Sequence, residues 1–114
     1  MTSGMRTIIF PVKDLARAKA LYARLLGMAP YADEPYYVGF SVGDQEVGLD
    51  PNGHSQGMMG PVAYWHLEDI KTTLSQLLDA GAEVQNAIRD VGGGKLIATV
   101  KDPDGNVFGL IQSA

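Results

Sequence analysis

Apolar residues recur along this chain with two periods that alternate in a fixed order. The stretch RTIIFPV, Arg6 to Val12, is short and rich in isoleucine and valine, which predicts a first strand punctuated by Pro11. The spacing then lengthens. Leu15, Ala18, Tyr22 and Leu25 recur at helical intervals, with Asp14 placed as an N-cap and Gly27 as a stop signal. Next come YYVGFSV and QEVGLD, two extended runs separated by Gly43-Asp44, a pair suited to a two-residue hairpin turn.

Between Pro51 and Pro61 the string PNGHSQGMMGP carries four glycine and asparagine residues and reads as a linker. Past it the order repeats. VAYWHL predicts a strand, and Asp69 caps IKTTLSQLLDAG, which places Ile70, Leu74, Leu77 and Leu78 on one face and ends at Gly81. AEVQNAI is a short strand, and KLIATVK and NVFGLIQ form a hairpin across DPDG. Two units of ~50 residues therefore make an internal repeat. Local echoes support it: VKDL before the first helix matches LEDI before the second, and EVGLD matches VFGLI near the unit ends. The expected organisation is one domain over residues 1–114, with module one at about 5–50, a linker at 51–61 and module two at 62–114.

Bulk properties narrow the function classes. With 114 residues, 46% of them hydrophobic, the chain suits one domain with a core. A formal charge of -4 and scattered basic residues argue against a phosphate-tracking surface, so no nucleic-acid partner is expected. The absence of cysteine excludes disulfides, thiolate metal sites and a cysteine nucleophile. No apolar run reaches the length of a membrane span, and MTSGMRTIIF lacks the apolar segment of a signal peptide, so the expectation is a cytoplasmic protein with no membrane partner.

Two strings carry a family likeness. VKDLARAKALYARLLGM and VKDPDGNVFGLIQ, in this order and spacing, resemble the strand-to-helix signature and the terminal Asp-Pro-Asp-Gly hairpin of the vicinal oxygen chelate superfamily. That superfamily includes glyoxalase I, extradiol dioxygenases, and fosfomycin- and bleomycin-resistance proteins. The resemblance covers nearly the whole chain. It implies an α+β fold in which two βαβββ modules form a half-open barrel with helices outside and a ligand cavity inside.

It also implies where a metal would sit. Metal enzymes of the superfamily hold the ion through His and Glu on the first and last strands of each module. The matching first-strand positions, each seven residues before a capping Asp, are Thr7 and Val62. In the last strands the family's Glu precedes a core Leu, and here Gly48 precedes Leu49 and Gly109 precedes Leu110. Only the Thr7 hydroxyl in this set offers an oxygen, whereas such metals require imidazole or carboxylate donors. Sliding the strand of the first module would bring Glu46, Leu49 or Asp50 into place, which restores at most one carboxylate. No metal and no cofactor are expected, and the paired glycines read as open space.

Alternation assigns inner faces. From module one they comprise Thr7, Ile9, Tyr37, Gly39, Ser41, Glu46, Gly48 and Asp50; from module two, Val62, Tyr64, His66, Leu96, Ala98, Gly109 and Ile111. Candidate ligand-binding residues are Thr7, Ile9, Tyr37, Gly48, Asp50, Val62, Tyr64, His66 and Gly109. His66 is open to two readings: a general base or anchor oriented by Asp50 or Glu46, or a strand residue bonded to a neighbour. Tyr37 and Tyr64 either stack on a planar ligand or fill space. Trp65, on the opposite face, belongs to the core. His54 reads as a solvated loop residue, and Met58-Met59 as a lid, a core contact or a dimer contact. DVGGGKL lacks the Walker pattern, since Arg89 and Leu96 stand where glycine and Ser or Thr are required.

The function these features imply is metal-independent binding of a small hydrophobic or aromatic molecule, as in drug-sequestering members, with a homodimer expected by resemblance. The alternative is a divergent glyoxalase-like lyase, isomerase or dioxygenase that uses His66 or an unrecognised metal site.

Overall fold

The computed structural model describes residues 2–114. Its elements run β1 (Thr2–Pro11), α1 (Leu15–Leu26), β2 (Ala32–Glu34), β3 (Tyr37–Val42), β4 (Gln45–Asp50), β5 (Val62–Leu67), α2 (Ile70–Asp79), β6 (Glu83–Asp90), β7 (Leu96–Lys101) and β8 (Val107–Gln112). The fold is α+β, and the order βαβββ occurs twice. Local chemistry sets the helix bounds. Asp14 and Asp69 are extended, and each carboxylate accepts the backbone N–H three residues on, from Arg17 and Thr72, at 3.1 Å. Gly27 closes α1 in the left-handed conformation at φ 67°, donating its N–H to the Ala23 carbonyl, a geometry that any Cβ disfavours.

Two compact units divide the chain: Arg6–Val62, and Ala63–Ala114 with the first residues of β1. In the 6–62 unit the strand order is β2-β3-β4-β1. β3 is antiparallel to both neighbours, and β1 runs parallel to β4 with Thr7 opposite Glu46 and Ile9 opposite Gly48. One face of these strands packs on α1. Val38, Phe40 and Leu49 are fully buried there, with Phe10, Leu15, Ala18, Tyr22, Leu26 and Val47 around them. Each such burial of a Phe or Leu contributes roughly 1.5–3 kcal/mol.

The 63–114 unit has the order β5-β8-β7-β6, with β5 parallel to β8 and the other pairs antiparallel. Its core joins Leu67, Ile70, Ala98, Val100 and Leu110 to Trp65, Leu74, Leu77 and Phe108. Trp65 is thus a core residue, as its strand parity requires.

Four expectations are corrected. Leu25 faces solvent at 70% exposure, because it lies about 80° around α1 from Leu15, whereas Leu26 lies about 20° away and packs in its place. Leu78 is likewise turned out of the α2 core for the same angular reason. Leu96 and Ala98 lie on the helix side of β7, not the inner face: Ala98 is opposite Leu110, and both belong to the core under α2. LIATV is apolar at alternate positions on both faces, so its composition does not fix its parity. Finally, β2 appears where no element was expected, since three residues of ADE are too short to show a period.

Candidate functional site

With Phe10, Val38, Phe40, Val47 and Leu49 turned toward α1, alternation turns Thr7, Ile9, Tyr37, Gly39, Ser41, Glu46, Gly48 and Asp50 to the other face. Register sets them in rows. Thr7, Glu46 and Ser41 form one row across three strands, and Ile9, Gly48 and Gly39 form the next.

The glycine row is not open space. A Cβ at Gly48 would stand 2.5 Å from the Tyr37 hydroxyl oxygen and 2.6 Å from Ile9 Cδ1, and one at Gly39 would stand 2.8 Å from Tyr37 Cε2 and 3.0 Å from Tyr31 Cε1. The Tyr37 ring therefore lies along the Gly39–Gly48 pair and needs both glycines beneath it. Its hydroxyl donates to the Glu46 carboxylate, and the Tyr31 hydroxyl joins the same cluster. Burial, and then the neighbouring Glu46 carboxylate, raise the Tyr37 hydroxyl far above the ordinary tyrosine range. The same two causes push Tyr31 up to about 12. Both hydroxyls stay protonated at neutral pH, so the cluster holds one carboxylate and two committed donors.

The equivalent face of the 63–114 unit repeats the device. Tyr64 is opposite Gly109 across the parallel β5–β8 pair, and a Cβ at Gly109 would meet the Tyr64 ring, with Cγ at 2.5 Å. Tyr64 is buried in this position. Beside it, Thr99 is opposite Gly109 and accepts a hydrogen bond from Asn86 Nδ2 at 2.8 Å. His66 is opposite Ile111, and its carbonyl accepts the Thr2 hydroxyl at 2.8 Å.

The remaining candidates occupy more structural places. Asp50 ends β4, where its carboxylate accepts the Asn52 N–H at 2.8 Å and its carbonyl accepts the Val12 N–H. Thr7 and Val62 are buried. Met58 Sδ packs beside Gly53, while Met59 is 98% exposed in the loop after a 3-10 turn at His54–Gln56. Gly92, Gly93 and Gly94 all take positive φ in the β6–β7 connection, a loop shape that only glycine adopts freely.

A divalent metal does not fit this donor set. Of the four superfamily positions, Gly48 and Gly109 have no donor atom and lie under tyrosine rings, Val62 is apolar, and Thr7 supplies a neutral hydroxyl. Among the described residues no group of three His, Asp or Glu side chains stands close enough to hold an ion.

Comparison with known proteins agrees with this topology. The Glyoxalase/Bleomycin resistance protein/Dioxygenase superfamily pattern matches residues 4–110. The chain belongs to that superfamily. Among solved structures it is similar to methylmalonyl-CoA epimerase from Mycobacterium tuberculosis, at 17% identity and a TM-score of 0.77 over 99% of this chain and 89% of the other. A glyoxalase/bleomycin resistance protein/dioxygenase superfamily member from Vibrio splendidus 12B01 aligns at 18% identity and TM-score 0.70, covering 95% and 97%. A Streptomyces coelicolor methylmalonyl-CoA epimerase variant in complex with 2-nitronate-propionyl-CoA aligns at 15% identity and TM-score 0.76, covering 100% and 99%. At these identities the likeness is one of fold. No curated protein sequence matches the chain.

Sequence reasoning placed Glu46 and Tyr37 on one face but missed Tyr31. That tyrosine precedes β2, outside any periodic run, and its backbone N–H donates to the Gly39 carbonyl at 2.9 Å. A pair of glycines two strands wide, with aromatic residues close by in sequence, was the available signal.

Proposed function

We propose that this superfamily member binds a small hydrophobic or aromatic molecule without a metal ion. The binding faces carry Thr7, Ile9, Tyr37, Gly48 and Asp50, and Val62, Tyr64, His66 and Gly109. The observation that supports this most directly is the tyrosine laid over glycine at both positions where the superfamily's metal enzymes carry glutamate. A ligand there meets aromatic and aliphatic surface with a few fixed polar groups, the composition typical of small-molecule sites. Apolar burial supplies affinity, and the hydroxyl and carboxylate groups set orientation.

The competing reading is a lyase, isomerase or dioxygenase acting through His66 or a metal, and the fold likeness to methylmalonyl-CoA epimerases supports it. Metal analysis and a thermal-shift screen of aromatic metabolites, antibiotics and glutathione adducts separate the two. Metal-free protein that is stabilised by a ligand is the expected result. Stoichiometric Fe, Mn, Ni or Zn that is lost in His66→Ala would overturn the metal-free reading.

A further inference from the structure

Three polar groups of the 6–62 unit meet beside the Gly39–Gly48 pair: the Glu46 carboxylate and the hydroxyls of Tyr31 and Tyr37. In a hydrogen bond between a phenol and a carboxylate the proton stays on the phenol, because their ordinary acidities differ by about six pH units. Glu46 is therefore the acceptor and carries the charge of the cluster. A carboxylate offers about four lone-pair sites, and the tyrosines are neutral donors that leave its charge in place.

The surroundings of this charge are aromatic and apolar. The Tyr31 ring rests with one edge on Gly39 and is 59% exposed, so part of its π surface is open to solvent. Ile9 and the Tyr37 ring flank the same row. An apolar molecule laid on this face removes water from Glu46 as well as from the rings. A neutral molecule returns at most a hydrogen bond for the lost hydration of a charged group, whereas a cation returns both a charge and a donor. Aromatic faces beside a carboxylate favour the same partner, since the ring quadrupole attracts positive charge. The chain's net charge of -4 adds a weak bias in that direction.

We infer that the ligand of this face carries a cationic nitrogen, an ammonium or amidinium on an apolar or aromatic body, which donates to Glu46 and packs against the Tyr31 ring. The inference rests on the proposed small-molecule reading and specifies the charge of the ligand.

Isothermal titration with three probes of one shape tests it: phenethylammonium, 2-phenylethanol and phenylacetate, each on the wild-type chain, Glu46→Gln and Tyr37→Phe. The expected result is that wild type binds phenethylammonium about tenfold more tightly than 2-phenylethanol, and phenylacetate more weakly than either. In Glu46→Gln, which keeps an acceptor oxygen for Tyr37, the first two probes bind alike. In Tyr37→Phe, where the charge remains, the preference for the cation persists. If wild type binds 2-phenylethanol as tightly as phenethylammonium, or if Glu46→Gln retains the preference, the cationic assignment falls while small-molecule binding stands. Loss of the preference in Tyr37→Phe also overturns it, since the hydroxyl and not the charge would then select. Absence of binding by all three probes to folded wild-type protein overturns both this assignment and the small-molecule reading.

Discussion

Tyr37 and Tyr64 perform the same packing task with different tolerances. At Gly109 the obstructing atoms include Tyr64 Cγ, close to the backbone, so the ring cannot swing away from an added methyl group. Gly109→Ala should destabilise the fold by about 1–3 kcal/mol through overpacking, read as a lower denaturant midpoint. At Gly48 the obstructions are side-chain ends, the Tyr37 hydroxyl and Ile9 Cδ1. Gly48→Ala should unfold the chain less and instead displace the Tyr37 hydroxyl from Glu46. Equal losses at both glycines would contradict this difference. A second residue-scale prediction concerns alkali. The folded-state values of Tyr31 and Tyr37 lie above the unfolded value near 10, so their contribution to stability is complete below about pH 10 and is lost as pH rises toward about 12 and beyond. In Glu46→Gln the latest tyrosine to ionise should titrate earlier in a tyrosinate absorbance titration. An unchanged titration would show that burial alone sets these values.

Among the elements, the helices and hairpins were the most legible from sequence. Asp14, Asp69, Gly27 and the Gly43-Asp44 pair each act through local backbone chemistry, so their positions follow from residue type. Leu25, Leu78 and the β7 parity were not legible, because their placement depends on which side of an amphipathic margin the partner strand or helix comes to occupy. Tyr31 was hidden for the same reason: only the β2–β3 pairing brings it over Gly39. The caps yield a test. Asp14→Ala should cost about 1 kcal/mol, measured by chemical denaturation, because it removes the acceptor for the Arg17 N–H. On the acid side, Asp69 is held below the usual carboxylate range by the Thr72 N–H and hydroxyl, and Asp102 by the Asn106 side chain and backbone N–H groups in the β7–β8 turn. Depressed folded values mean that this stability is present above about pH 4 and disappears as pH falls further. Thermal melts of Asp69→Asn and Asp102→Asn should fall less steeply between pH 4 and pH 2 than those of wild type; parallel curves would exclude both turns as acid-sensitive elements.

For the whole molecule, the proposal requires that ligand binding survive exhaustive chelation, and that the ligand shift the melting temperature equally before and after the treatment. The superfamily resemblance adds the expectation of a homodimer, which we propose as a separate test: sedimentation at micromolar concentration should give twice the 12.2 kDa chain mass. A monomer would overturn the dimer expectation and leave the proposed binding face untouched. The tyrosine-over-glycine pairs bear on ancestry as well as on binding. For a lineage that carries them, the mutational route to glutamate is unequal at the two positions: at Gly109 the new side chain meets the Tyr64 ring close to the backbone, whereas at Gly48 it meets side-chain ends that can shift. Regaining a glutamate at Gly109 therefore demands a compensating change at Tyr64, whereas Gly48 can change with its neighbours merely displaced.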